Sequence, residues 1–279
     1  MNISIVIPAH NEEAYLDKTL DSLVSQTLLP KKIIVVNDNS TDNTQQIIDS
    51  YSGKYEFIHG VSHKAGSDHV PGAKVIEAFN RGLSELDSDY EVICKFDADL
   101  VFPIDYLQKL KVTFQSSESI GMAGGFCYVE KNGSWHIEGL TGKDHIRGAL
   151  KAYRKECFQQ IGGLKRAMGW DTIDELLALY HGWEVRTIDA LQVKHMKPTG
   201  TSYSGRSGRL QGTAFKKMRY GFLLTLIASA KLSLKKRNFS YFLDCIKGYF
   251  SGDGDFMIGK DEGRFIRKLR WRNIRKKLF

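Results

Sequence analysis

Two aspartates one residue apart, Asp97 and Asp99, close the apolar run Val92–Phe96 in the stretch CKFDADL. Carboxylates spaced this way at a strand end can grip a divalent cation, Mg2+ or Mn2+, and such a cation neutralises a diphosphate. A second polar block, Asn37-Asp38-Asn39-Ser40-Thr41-Asp42, follows the apolar residues 33–36. A carboxylate only accepts hydrogen bonds, so Asp38 can receive them from the edge of uracil or another base. Asp42 reads instead as a helix cap. A third acidic group, Asp171, Asp174 and Glu175, follows Gly169-Trp170, and His195 lies in Val193-Lys194-His195-Met196-Lys197.

The elements that must hold these side chains follow from spacing. Residues 3–7 form a β-branched run of the kind a buried parallel strand uses, stopped by Pro8. Asn11 is placed to cap a helix whose Leu16, Leu20, Leu23 and Val24 recur at helical spacing. Residues 33–36 predict a second strand, 42–51 a short helix, 57–59 a third strand and 92–96 a fourth. A loop carrying His59, His63 and His69 leads to a helix starting at Pro71. This alternation predicts an α/β, doubly wound, mostly parallel sheet. Ligands of such sheets bind beyond the carboxyl ends of the strands. Residues 8–12, 37–42 and 97–99 therefore share one rim. Beyond residue 100 the pattern predicts a helix at 103–115, a Gly-rich strand at 121–130, a helix at 154–161 ended by Gly162-Gly163, and another from Asp171 to Gly182.

Composition bounds the class. In 279 residues, 42% hydrophobic and 26% charged content describe a soluble globular chain, which excludes wholesale disorder and collagen-like repeats. The N-terminal MNISIVIPAHNEE lacks a basic leader region, and Cys94, Cys127, Cys157 and Cys245 show no paired spacing. The expectation is a cytoplasmic chain with reduced thiols. Charge is unevenly spread. Residues 205–279 hold 19 of the 40 Lys+Arg but only 5 of the 32 Asp+Glu, leaving an acidic body and a basic tail. Residues 264–279 carry eight Lys+Arg interleaved with Phe265, Ile266, Leu269, Trp271, Ile274 and Leu278. A basic helix with such a stripe suits an anionic membrane surface, held peripherally at the inner face of the cell membrane; a solvated face on a packed helix is the alternative. No nucleic-acid module accompanies the basic residues, so nucleic acid is not an expected partner. The expected organisation is a body over 1–204 and a basic amphipathic helical tail over 205–279.

Three blocks, ISIVIPAHNEEAYLDKTLDSLVSQT, KKIIVVNDNSTDNT and CKFDADL, together resemble the opening of glycosyltransferase family 2 enzymes, which have the GT-A fold. A looser likeness continues through Gly169-Trp170-Asp171 and Gly182-Trp183 to about residue 200. The resemblance implies transfer of a sugar from a nucleoside-diphosphate donor, commonly a UDP-sugar, to a saccharide or lipid-linked acceptor hydroxyl, with inversion at the anomeric carbon. It makes residues 1–100 the nucleotide-binding half and 101–204 the acceptor half. It places Pro8, Ala9, His10 and Glu12 in the first nucleotide-contacting block and Asp38 at the base. It makes Asp99 a direct metal ligand, with Asp97 nearer the ribose, and lets His195 complete the metal site. It draws the general base from the cluster after Trp170, either Asp171 or Asp174, although the family's usual Glu-Asp pair is missing. Lys197 and Arg206 are candidates for the diphosphate, His63, Lys64 and Asp68 for further donor contacts, and Trp170 and Trp183 for stacking on an acceptor sugar. A sugar-nucleotide pyrophosphorylase would carry a Gly-rich basic loop where Pro8-Ala9-His10-Asn11 stands. A non-catalytic sugar-nucleotide binder has no need of the intact acidic set.

Overall fold

A computed structural model describes residues 1–63, 72–138, 142, 144–197, 207–252 and 254–278. The first half alternates as its apolar spacing requires: β1 (Ile3–Ala9), α1 (Leu16–Val24), β2 (Lys32–Asp38), α2 (Thr44–Lys54), β3 (Ile58–His63), α3 (Ala73–Leu83) and β4 (Val92–Phe96). These strands run parallel in the order β3-β2-β1-β4. The Ile and Val side chains of β1 and β2 are buried on both faces, the signature of a sheet covered by helices on either side.

The second half adds β5 (Leu100–Val101), α4 (Tyr106–Ser116), β6 (Ile120–Lys131), β7 (Ser134–Ile137), β8 (Leu150–Arg154), α5 (Lys155–Gln160), α6 (Trp170–Tyr180) and β9 (Glu184–His195). β8 pairs antiparallel with β4, and the sheet continues through β6 and β9 to β5, with β7 folded back on β6. The short β5 matters for the site. Its Leu100 stands opposite His195, the last residue of β9, so the end of β9 returns to the residues just after β4.

The chain ends in α7 (Ser207–Lys217), α8 (Phe222–Lys236), α9 (Phe239–Ser251) and α10 (Lys260–Leu278). Phe215, Met218, Leu224, Ile258 and Ile266 of this region join the same apolar cluster as the sheet. The expected boundary at residue 204 lies outside the described residues. α7 and α9 cross on glycines. A Cβ at Gly212 would lie 1.8 Å from the Cys245 carbonyl oxygen, and one at Gly248 would lie 2.0 Å from that of Arg209. Among the described residues, no helix is long and apolar enough to cross a membrane.

Two expectations change here. Asn11 does not cap a helix: its backbone is left-handed (φ 54°), its side-chain oxygen accepts from the Thr41 amide at 2.8 Å, and α1 begins only at Leu16. The apolar stripe of α10 points inward. Ile266 is fully buried, Phe265, Leu269, Trp271 and Ile274 pack against the core, and the Phe265 ring lies 5.5 Å from that of Tyr180.

Gly248→Ala should gain up to about 1 kcal/mol in helix propensity, yet the clash with Arg209 should outweigh it. A net loss of about 1–3 kcal/mol is expected from urea unfolding.

Candidate active site

The loops after β1 and β2 are stitched together by their own polar groups. The Asn11 amide donates to Ser40 Oγ at 3.0 Å, the Glu12 amide to Thr44 Oγ1 at 2.8 Å and the Glu13 amide to Asp42 Oδ2 at 3.1 Å. His10 Nδ1 lies 2.6 Å from the Asp38 carbonyl oxygen. The N-cap of α2 is Asn43, which makes no side-chain cap bond; Asp42, read from sequence as the cap, stands one residue earlier and accepts from the Thr44 amide at 3.0 Å. Pro8 and Ala9 end β1 beside Val36 and Asn37 of β2. This stitching leaves two buried carboxylate oxygens without a hydrogen-bond partner, Asp38 Oδ1 and Glu12 Oε2. A buried acceptor left unsatisfied is costly, and both belong to residues singled out for the nucleotide. Burial, then the charge of Asp99, pushes the Glu12 carboxyl above its usual range, while Lys197 Nζ, 3.2 Å from Glu12 Oε1, opposes that shift.

Asp97 and Asp99 leave β4 on the same rim. Asp97 pairs with the buried ammonium of Lys95, which also donates to the Gly148 carbonyl at 3.0 Å. Asp99 is buried, with Oδ2 3.3 Å from His195 Nε2. The other ring nitrogen of His195 lies 3.1 Å from Glu138 Oε2, and Arg147 lies 3.2 Å from that same oxygen. Burial would lower the His195 pKa, but hydrogen bonds to Asp99 and Glu138 outweigh it and raise it to about 9. Cys127 also approaches this ring: its Sγ, one oxygen of Glu138 and a nitrogen of His195 lie within 4.8 Å of one another. Burial pushes its thiol well up, so it stays neutral. Asp99 and His195, a carboxylate and an imidazole 3.3 Å apart, are donors of the kind Mg2+ or Mn2+ accepts, and the charge of Asp99 reaches the Glu12 carboxyl. The residues present therefore fit a divalent cation.

The third acidic group divides. Gly169, with φ 79°, turns the chain into α6 and sets Asp171 in its first turn. The Asp171 carboxylate is partly exposed, 3.8 Å from His145 Nε2. Burial would raise its pKa, but His145 and the charge of Lys151 hold it below the usual carboxylate range. His145 also hydrogen-bonds Glu175 at 2.8 Å; burial would lower its pKa, yet Asp171 and Glu175 raise it to about 9. Asp174 is 1% exposed. Its oxygens accept from Lys151 Nζ at 2.8 and 2.9 Å and from the Tyr153 hydroxyl at 2.6 Å, and burial pushes its carboxyl up. Turned into the core, the fallback base read from sequence sits in a buried ion pair with Lys151. Trp170 is likewise buried, with the Lys95 and Lys151 ammoniums 5.3 and 5.8 Å from its ring, which leaves no free face for a sugar. Trp183 donates to Gln160 at 2.6 Å. His59 is exposed on β3, His63 ends that strand opposite Asp38, and Lys64, Asp68 and Arg206 lie outside the described residues.

A parallel sheet with its acidic strand ends gathered on one rim, extended by an antiparallel layer that carries a further carboxylate, is the GT-A architecture of nucleotide-sugar transferases. The profile of glycosyl transferase family 2 matches residues 4–163, and the chain belongs to that family. Over 100 residues it is 43% identical to a probable glycosyltransferase of Bacillus subtilis, YdaM. That stretch is 35% of this chain and 22% of that relative, so the chain spans a small part of it. Residues 1–349 of Staphylococcus aureus TarS, in complex with UDP-GlcNAc, superpose with a TM-score of 0.59 at 16% identity, covering 90% of this chain and 73% of that one. The mannosyltransferase PcManGT of Pyrobaculum calidifontis, in complex with GDP-Man and Mn2+, gives a TM-score of 0.59 at 14% identity, covering 91% and 76%.

Asp174→Ala would take from the fully buried ammonium of Lys151 its closest carboxylate, leaving Glu175 at 3.2 Å and the Asp171 carbonyl. A loss of about 3 kcal/mol in urea unfolding is expected, with a smaller loss for Asp171→Asn, which removes one of the two carboxylates that hold His145 protonated. In EDTA, His145 and His195 set a further trend. Folded pKa values of about 9 exceed the ordinary 6.5, so their stabilisation is complete below pH 6.5 and is lost as pH rises through 9. Each should account for on the order of 3 kcal/mol of that decline, and His145→Asn should remove its share.

Proposed function

We propose that this chain transfers a sugar from a nucleoside-diphosphate donor, a UDP-sugar by preference, to an acceptor hydroxyl with inversion, in the synthesis of a polysaccharide or glycolipid. The observation that carries this reading is the Asp99–His195 pair, 3.3 Å apart, on the same rim as the unpartnered Asp38 and Glu12 oxygens. Asp38 would accept from the base, Asp97 would meet the ribose, and Pro8, Ala9, His10 and Glu12 would line the nucleotide. Asp99 and His195, joined by Asp97, would hold Mg2+ or Mn2+. Such a cation, when bound, offsets the charge that grows on the departing diphosphate. Lys197 would add a charge-assisted hydrogen bond to the same phosphates.

Asp171 is the proposed base. One displacement inverts the anomeric centre and needs one acceptor for the hydroxyl proton. A carboxylate held ionised by His145 and Lys151 is ready for that role throughout the neutral range. His145, clamped between Asp171 and Glu175, orients the carboxylate rather than reacting. The ligands of the superposed structures, UDP-GlcNAc and GDP-Man, support a nucleotide-sugar donor. The acceptor is proposed to be a saccharide or a lipid-linked saccharide, met at the cytoplasmic face of the cell membrane. An anionic membrane surface is the proposed partner of the basic region 205–279.

Asp99→Ala should abolish transfer and most Mn2+-dependent donor binding, followed by calorimetry with UDP and UDP-sugars. Asp171→Asn should bind donor as before but turn over at least about a hundredfold more slowly. Undiminished turnover in Asp171→Asn would remove the base from this scheme, and a panel of UDP-, GDP- and dTDP-sugars would identify the donor.

A further inference from the structure

The apolar surface of the C-terminal region lies where the sequence periodicity did not place it. With residues 265–274 of the α10 stripe packed against the core, the large exposed apolar side chains of this region concentrate on α8 and α9. Leu223 (64% exposed), Ile227 and Leu234 (79%) recur at i, i+4 and i+11 along α8. Phe239 (72%), Leu243 and Phe250 (65%) recur at the same intervals along α9. Two amphipathic stripes of one period, each facing water, are not what a finished interior leaves behind.

The two helices form one antiparallel hairpin. Arg237 takes a left-handed conformation (φ 50°), Asn238 caps α9 by accepting from the Tyr241 amide, and Ser233 Oγ donates to the Asn238 carbonyl at 2.7 Å. At the open end the rings of Phe222 and Phe250 lie 5.4 Å apart, which brings the stripes together. The opposite side of α9 is already used: Gly248 meets the backbone of α7 at Arg209. Only the apolar side is left for a partner.

Charge selects that partner. Between residues 222 and 251 the sequence holds five Lys+Arg and one acid, Asp244, which lies 3.9 Å from Arg209. Lys231 and Lys247 are exposed one turn from Ile227 and Leu243, and Lys236 and Arg237 are exposed where α8 ends. A second copy of this face would set those cations against their duplicates, and like charges at an interface oppose association. An anionic bilayer offers negative headgroups at the level of the cations and hydrocarbon beneath them.

We propose that the α8–α9 hairpin, rather than α10, docks this protein on an anionic lipid surface, with the exposed leucines, isoleucine and phenylalanines entering the headgroup–acyl boundary. The Cβ position of Gly169, at the start of α6, lies 2.5 Å from Met218 Cε, just beyond α7. The helical region thus abuts the turn that carries Asp171. This inference rests on the proposed transferase only in its choice of a lipid-linked acceptor.

The test is co-sedimentation of the full chain with vesicles of phosphatidylglycerol and phosphatidylcholine, against phosphatidylcholine alone, with gel filtration alongside. The unaltered protein should partition roughly tenfold more strongly onto the anionic vesicles. The triple variant Leu223→Ser, Ile227→Ser, Phe250→Ser, and separately Lys231→Glu with Lys236→Glu, should each lose about tenfold, while Lys268→Glu with Arg272→Glu on α10 should lose far less. All these side chains are exposed, so circular dichroism should report unchanged folding. Equal binding by the hairpin variants overturns the assignment. So does an unaltered protein that ignores anionic vesicles, or one whose dimer is dissolved by the triple variant. Mn2+-dependent UDP binding without vesicles is measured on the same samples. Its loss with vesicle binding intact would count against the transferase site alone, and the reverse against the hairpin alone.

Discussion

Two lysines with almost no access to solvent face each other across adjacent strands: Lys95 of β4 stands in register with Lys151 of β8. Like charges so placed repel strongly in a medium of low dielectric. Each is answered separately. Lys95 pairs with Asp97 and the Gly148 carbonyl, Lys151 with Asp174, Glu175 and the Asp171 carbonyl, and the Trp170 ring lies near both. The residue that begins the acidic pair after β4 and the helix that carries Asp171 are thereby tied to one buried charge system. The donor rim and the turn bearing the proposed base cannot shift independently without exposing an unpaired ammonium.

Much of the first half of the fold was legible because strands and rims follow from local patterns. Apolar runs ended by polar residues marked β1, β2 and β4, and parallel pairing then required their ends to share one edge. The roles within the Asp171–Glu175 cluster were not legible. Helical spacing puts Asp171 and Asp174 near one another but does not say which faces a buried lysine. A signal existed: Lys95 and Lys151 interrupt the apolar runs VICKF and LKAYR, and a buried lysine demands a carboxylate. Glu138, His145 and Arg147 had no such mark. They meet His195 and Asp171 only because β7 folds back on β6 and the segment before β8 passes beside α6.

The helical region makes the same point about amphipathic helices. A stripe of apolar residues at helical spacing says that one face avoids water, not what it avoids water with. α10 has the more basic sequence and the clearer stripe, yet it packs inward on Tyr180 and the core. α8 carries an apolar run, residues 222–227, between basic residues, and α9 meets α7 through its single glycine, Gly248, which supplies no side chain to cover the rest of the hairpin. The exposed face of one helix is then a consequence of the close approach of another.

The electrostatics of the rim run against self-sufficiency. Glu12, Asp38, Asp97 and Asp99 collect at the strand ends, while the cations in contact with them are Lys95 beneath Asp97 and the half-exposed Lys197 beside Glu12. His195 adds a charge only when it binds a proton, and Asp99 and Glu138 draw that proton to it. A divalent cation would serve those carboxylates better, since it places two charges where the imidazolium places one, and it would displace the proton in binding. The carboxylates that raise the pKa of His195 are also the groups that would bring metal to it. Proton and cation therefore compete for one position, and donor binding that depends on the metal should weaken as protons win it.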